Sequence, residues 1–109
     1  MRKIEAKMNQ AIRQGEDLTM GNTKVRQYGN GCEVKLHNHT IADINFDTGK
    51  AVITDCGYQT ATTKSRLNAI LSGLGTDAHL YQCNFEWFLS MGASEVDVES
   101  GSMHVIQYA

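Results

Sequence analysis

Proline is missing from this chain of 109 residues, and other absences are nearly as informative. Without proline, chain reversals fall to Gly, Asn and Asp, which tolerate positive φ or brace a turn with a short polar side chain. No Lys or Arg occurs from Gly75 onward, although Asp77, Glu86, Glu95, Asp97 and Glu99 all lie there. No run approaches the roughly 18 consecutive apolar residues that a membrane span requires. Met1-Arg2-Lys3 is basic, but no apolar stretch of signal-peptide length follows it. The cysteines, Cys32, Cys56 and Cys83, are an odd and widely spaced set without a C-x-x-C pair. Such a set fits free thiols in a reducing compartment, each acting as a small buried hydrophobe. Together these absences predict a soluble cytoplasmic chain with no disulfide framework and no membrane contact.

The length fits one domain spanning residues 1–109, large enough for a real core. Hydrophobic residues make up 41% and charged residues 20%, a globular rather than a disordered balance. A formal net charge of −2 and a pI near 6.0 exclude broad electrostatic coating of nucleic acid. The charge is also polarised. Arg2, Lys3, Lys7, Arg13, Lys24 and Arg26 enrich the N-terminal part, and the C-terminal part is purely acidic. An acidic end is either a solvated face or a patch that meets a basic partner.

Periodicity divides the chain into elements. Ile4, Met8, Ala11 and Ile12 recur at helical spacing, and Gly15 is a natural stop. Glu16 to Asn22 reads as a loop. From Thr23 the period becomes two: Val25 in a short strand, then Cys32, Val34 and Leu36 alternating with Glu33, Lys35 and His37. His37-Asn38-His39-Thr40 is the next reversal. Ile41 to Phe46 and Ala51 to Cys56 form a hairpin across Asp47-Thr48-Gly49-Lys50. Thr60, Thr62 and Thr63 offer cap hydroxyls for a helix over about 62–74, whose apolar stripe is Thr63, Leu67, Ile70, Leu71 and Leu74. Two aromatic strands follow, Ala78 to Gln82 and Phe85 to Ser90, joined at Cys83-Asn84, with Phe85, Trp87 and Leu89 on one face. Met91 to Ser102 reads as a mobile acidic loop or weak strand, and Met103 to Tyr108 as a last strand. The order predicts an α+β domain. A mainly antiparallel sheet of short strands carries an N-terminal helix and the central helix on one face, with Val34, Leu36, Ile44, Phe46, Trp87 and Leu89 supplying the covered side chains.

Candidate chemistry is sparse. His37 and His39 are spaced to share a strand face and ligate a metal with Asp43 or His79, but a histidine pair at a hairpin turn is the simpler reading, so no metal and no cofactor are expected. No nucleophile elbow, P-loop or dinucleotide fingerprint is present, and the chain is not expected to be an enzyme. The segment from Gly57 to Asn68 stands out. It gathers Tyr58, Lys64 and Arg66 with three threonines at a helix start, where free amides and cations suit a phosphate and Tyr58 suits a base. The plain alternative is a threonine-rich cap with Lys64 and Arg66 in water. Phe88 faces outward if Phe85, Trp87 and Leu89 face the core, as an interface anchor or covered by the first helix.

The segments GNTKV at Gly21, LHNHTIA at Leu36 and GYQTATTKSRLNAIL at Gly57 resemble a pattern in small bacteriophage-encoded accessory proteins. The likeness runs from about Gly21 to Leu89 and is most distinctive at the helix opening. The acidic stretch from Gly92 to Gly101 departs from it. The resemblance implies no catalytic residues. It implies a setting in which small phage proteins inhibit a host defence or nucleic-acid-handling complex by stoichiometric binding, anti-CRISPR proteins among them. Two contact surfaces follow: Glu95, Asp97 and Glu99 toward a host protein complex, or Tyr58, Lys64 and Arg66. The alternative function is a nucleic-acid or small-nucleotide binder using residues 60–66.

Overall fold

A computed structural model describes all residues from Met1 to Ala109. Helix α1 (Lys3–Gln14) precedes five strands, β1 (Leu18–Met20), β2 (Thr23–Tyr28), β3 (Gly31–Leu36), β4 (His39–Asn45) and β5 (Lys50–Thr54). Helix α2 (Ala61–Gly73) is followed by β6 (His79–Cys83), β7 (Glu86–Met91), β8 (Ser94–Asp97) and β9 (Met103–Gln107). The strands make two antiparallel sheets, one in the order β1-β2-β3-β4-β5-β9 and a smaller one in the order β6-β7-β8. The α+β reading therefore holds, with the last strand returning to the first sheet beside β5.

Alternation does most of the work in the larger sheet. Val25, Cys32, Val34, Leu36, Ile44, Ala51, Ile53 and Ile106 face a shared core with Met8, Ile12, Leu67, Ile70 and Leu71. Burying a side chain the size of Leu67, Ile70 or Leu71 contributes about 1.5–3 kcal/mol each. Thr60 caps α2 by accepting the Thr63 amide at 3.1 Å, and Gly15 ends α1 with a φ of 68°. At Gly31 a Cβ would collide with the Ile44 carbonyl oxygen. The Tyr28 ring lies across this bare backbone, and its hydroxyl donates to Asp43 Oδ1. That bond, with burial, pushes the Tyr28 phenol up to about 12.

Several expectations need correction. Residues 18–20, read as loop, form β1. Phe46, placed in the core, is 43% exposed, because β4 ends at Asn45 and the Asn45 side chain accepts the amides of Asp47 and Thr48. The tight turn lies at Asn84-Phe85, one residue later than expected, so Phe85 leaves the strand and is 93% exposed. Cys32 is buried as expected, but Cys56 is only partly buried and Cys83 is exposed. Of the two readings of the acidic segment after Met91, mobile loop or weak strand, the strand is the one found. Ser94–Asp97 pairs with β7, Val98 is buried, and the Val98 amide donates to the Trp87 carbonyl at 2.9 Å.

Candidate functional site

Two surfaces gather the residues singled out by sequence. The first is a cleft of about 400 Å³ at the start of α2, lined by Leu36, His37, His39, Tyr58, Thr60 and Thr62 among others. The β3–β4 turn delivers the histidines, with His37 and Asn38 both at positive φ and Asn38 held by a 3.0 Å bond from Lys24 Nζ. The His39 and Tyr58 rings lie 5.0 Å apart. No group of three or more His, Cys, Asp or Glu side chains is placed to hold a metal ion.

The floor of this region is a hydrogen-bonded staple. Asp55 Oδ1 accepts the amides of Gly57 at 2.8 Å and Gly101 at 2.7 Å. Gln59 Nε2 donates to Asp55 Oδ2 at 3.1 Å and to the Val98 carbonyl at 3.0 Å. The approach to α2 and the end of the acidic segment are thereby locked to each other. Asp55 braces its own turn through the Gly57 amide two residues on, and with the same oxygen reaches across the chain to Gly101.

Neither expected cation lines the cleft. Arg66 is buried: Nη1 pairs with Glu5 Oε2 at 2.8 Å, and Nε donates to Thr23 Oγ1 at 3.0 Å. The picture of Arg66 in water, or on a phosphate, is corrected by this partner on α1. Helical counting on α1 pointed to Ile4 and Met8, and nothing local marked Glu5 as buried. Lys64 lies over the Trp87 ring, 5.8 Å from its centroid. Of the cleft trio, Tyr58 alone is presented.

The second surface is the outer face of the small sheet. Register pairs Tyr81 with Phe88 and Phe88 with Asp97, and also His79 with Ser90 and Ser90 with Glu95. Leu80, Trp87 and Leu89 point the other way, into the core. Phe88 is therefore outward, and Tyr81 rather than α1 covers it, the two rings stacked at 5.4 Å. The Glu95 carboxylate beside the Tyr81 hydroxyl raises that phenol above its ordinary value. Beside this floor, a cleft of about 380 Å³ runs between the Phe85 tip and the strand end, with Glu86, Asp97 and Glu99 on its walls. The structure thus brings Glu95, Asp97 and Glu99 to one end of the molecule with the outward Phe88, and adds Tyr81, Phe85 and Glu86. Strand alternation had marked Phe88 as outward; Tyr81 beside it could be found only from the sheet pairing.

No helix is long and apolar enough to cross a membrane. No curated protein and no solved structure matches this chain. The sequence profile of the Kyanoviridae Gp96 protein family matches residues 1–105. The chain is a member of that family of phage proteins, the Kyanoviridae Gp96 proteins.

Proposed function

We propose that this protein acts by stoichiometric, non-catalytic binding to a host protein complex that handles nucleic acid or defends the cell, as an inhibitor of the anti-CRISPR kind. The observation that carries this reading is the chemistry of the small sheet. A stacked Tyr81–Phe88 pair is flanked by Glu86, Glu95 and Asp97, in a stretch of chain with no Lys or Arg. A carboxylate beside an aromatic face suits an Arg or Lys side chain, through ion pairing and through attraction of the cation to the ring. Proteins that grip nucleic acid present such cations for the phosphates. The exposed Phe85 adds an apolar anchor at the edge of the same surface.

The nucleotide alternative draws on the cleft with His39 and Tyr58, but its cations are engaged elsewhere. Arg66 cannot reach an outside phosphate without leaving Glu5 buried and unpaired.

The test is affinity capture from nuclease-treated host lysate, wild type beside a Glu95→Lys, Asp97→Lys, Glu99→Lys triple variant. The reading expects a defined basic protein retained by the wild type, lost with the variant and eluted by salt. Equal retention by the variant, or retention that nuclease abolishes, contradicts it.

A further inference from the structure

Two sheets leave four strand edges, and three of them are blunted. Edge strand β1 is only three residues long. At β6 the edge is capped by α2: Asn68 Nδ2 donates to the Leu80 carbonyl at 2.9 Å, and Asn68 Oδ1 accepts the Leu80 amide at 2.7 Å. On β8, Glu95 and Asp97 put carboxylates along the edge strand. Short edges, coverage and charge are the usual protections against pairing with another chain.

The fourth edge, β9, is five residues long and uncharged, and beside it residues 75–78, Met91 and Gly92 share an open cleft of about 500 Å³ with residues 105–108. Met103-His104-Val105-Ile106-Gln107 contains no Lys, Arg, Asp or Glu, no proline, and a continuous register with β5. The Tyr108 amide bonds to the Gly49 carbonyl at 2.8 Å, which sets the alternation of the ladder. In an antiparallel pair, every second residue points its N–H and C=O at the neighbour. Ile106 and His104 therefore serve β5, and Met103, Val105 and Gln107 turn their backbone groups to the open side. The side chains of Met103 and Val105 are 73% and 61% exposed.

We infer that β9 is a self-association edge whose occupant is β9 of a second copy, aligned antiparallel about a two-fold axis at Val105. Val105 exchanges both backbone bonds with its symmetry mate, and Met103 lies opposite Gln107. The uncharged strand brings no like charges together, and the Val105 side chains meet across the axis. The two six-stranded sheets become one. This inference is independent of the partner surface on the small sheet.

Sedimentation velocity across a concentration series tests it, with two variants. Val105→Lys puts like charges opposite each other, and Val105→Pro removes an N–H that β5 does not use. The inference expects a dimer of the 12.1 kDa chain, weakened by about tenfold or more by either variant. It also expects slowed hydrogen exchange at the Val105 amide in the dimer, a readout that needs no variant. A protein that stays monomeric at every concentration overturns it. So does a dimer indifferent to both variants, or a Val105 amide that exchanges freely in the dimer.

Discussion

Arg66 Nη1 lies 2.8 Å from Glu5 Oε2, tying α2 to the first turn of α1 through side chains that are each 5% exposed. Glu5 Oε2 also accepts from Ser65 Oγ at 2.6 Å, and Arg66 Nη2 reaches Asn22 Oδ1 at 3.3 Å. The ion pair is thus embedded in hydrogen bonds, the condition under which a buried pair holds its place. Removing one partner strands the other. Arg66→Met should cost about 3–5 kcal/mol, read as a lowered urea midpoint. The double variant with Glu5→Leu should recover much of that loss. A single variant with near-wild-type stability would contradict the pair's structural role.

Phe85 occupies a turn position at φ 67°, where a bulky side chain is strained and glycine is at ease. Phe85→Gly should therefore stabilise the fold, by about 1 kcal/mol. If Phe85 anchors the partner, the same change should weaken binding. Higher stability with lower affinity is the expected pair of results; unchanged affinity would remove Phe85 from the interface.

Tyr28 offers a pH readout. Its hydrogen bond to Asp43 and partial burial raise its phenol to about 12, above the ordinary tyrosine value near 10. A raised folded-state value means that the protonated phenol is favoured by folding. Its contribution is complete below the unfolded value and is lost as pH rises toward the folded one. Stability should fall between about pH 10 and pH 12, and Asp43→Asn should shrink that slope. Tyr28, Tyr81 and Tyr108 all have raised phenols, so ultraviolet titration should find several tyrosines ionising late, and Asp43→Asn should bring one of them, Tyr28, forward.

The thiols differ in access. Cys83 is exposed, whereas Cys32 is buried with its thiol pushed up to about 11 by burial and by Asp43. Cys56 is partly buried and raised, first by burial and then by Asp55. A thiol reagent at neutral pH should label Cys83 first and Cys32 only on unfolding. Early modification of Cys32 would place it outside the core.

Much of the architecture was legible because the strands of the larger sheet mostly alternate and α2 carries Leu67, Ile70 and Leu71 at helical spacing. Leu67, Ile70 and Leu71 are buried as their spacing predicts. Failures cluster where long-range pairing overrides local pattern. Arg66 looked like a surface cation because its partner is 61 residues away. Phe85 looked like core because a one-residue shift of a turn moves a side chain out of its strand. The acidic segment could be read as either loop or weak strand because its anchors, Asp55 and Gln59, lie far upstream. The acidic residues themselves were plain in the sequence, but their aromatic floor depended on knowing which strands pair.

The rate of association between this protein and the captured host protein, measured against salt, tests the central claim most directly. Charge steering makes association fast and salt-sensitive. The account predicts that reversing Glu95, Asp97 and Glu99 slows association by about tenfold or more and flattens its salt dependence, with folding stability nearly unchanged. Lys64→Ala should leave the rate as it was. An association rate insensitive to the three reversals, or lowered as much by Lys64→Ala, would contradict binding through the small sheet.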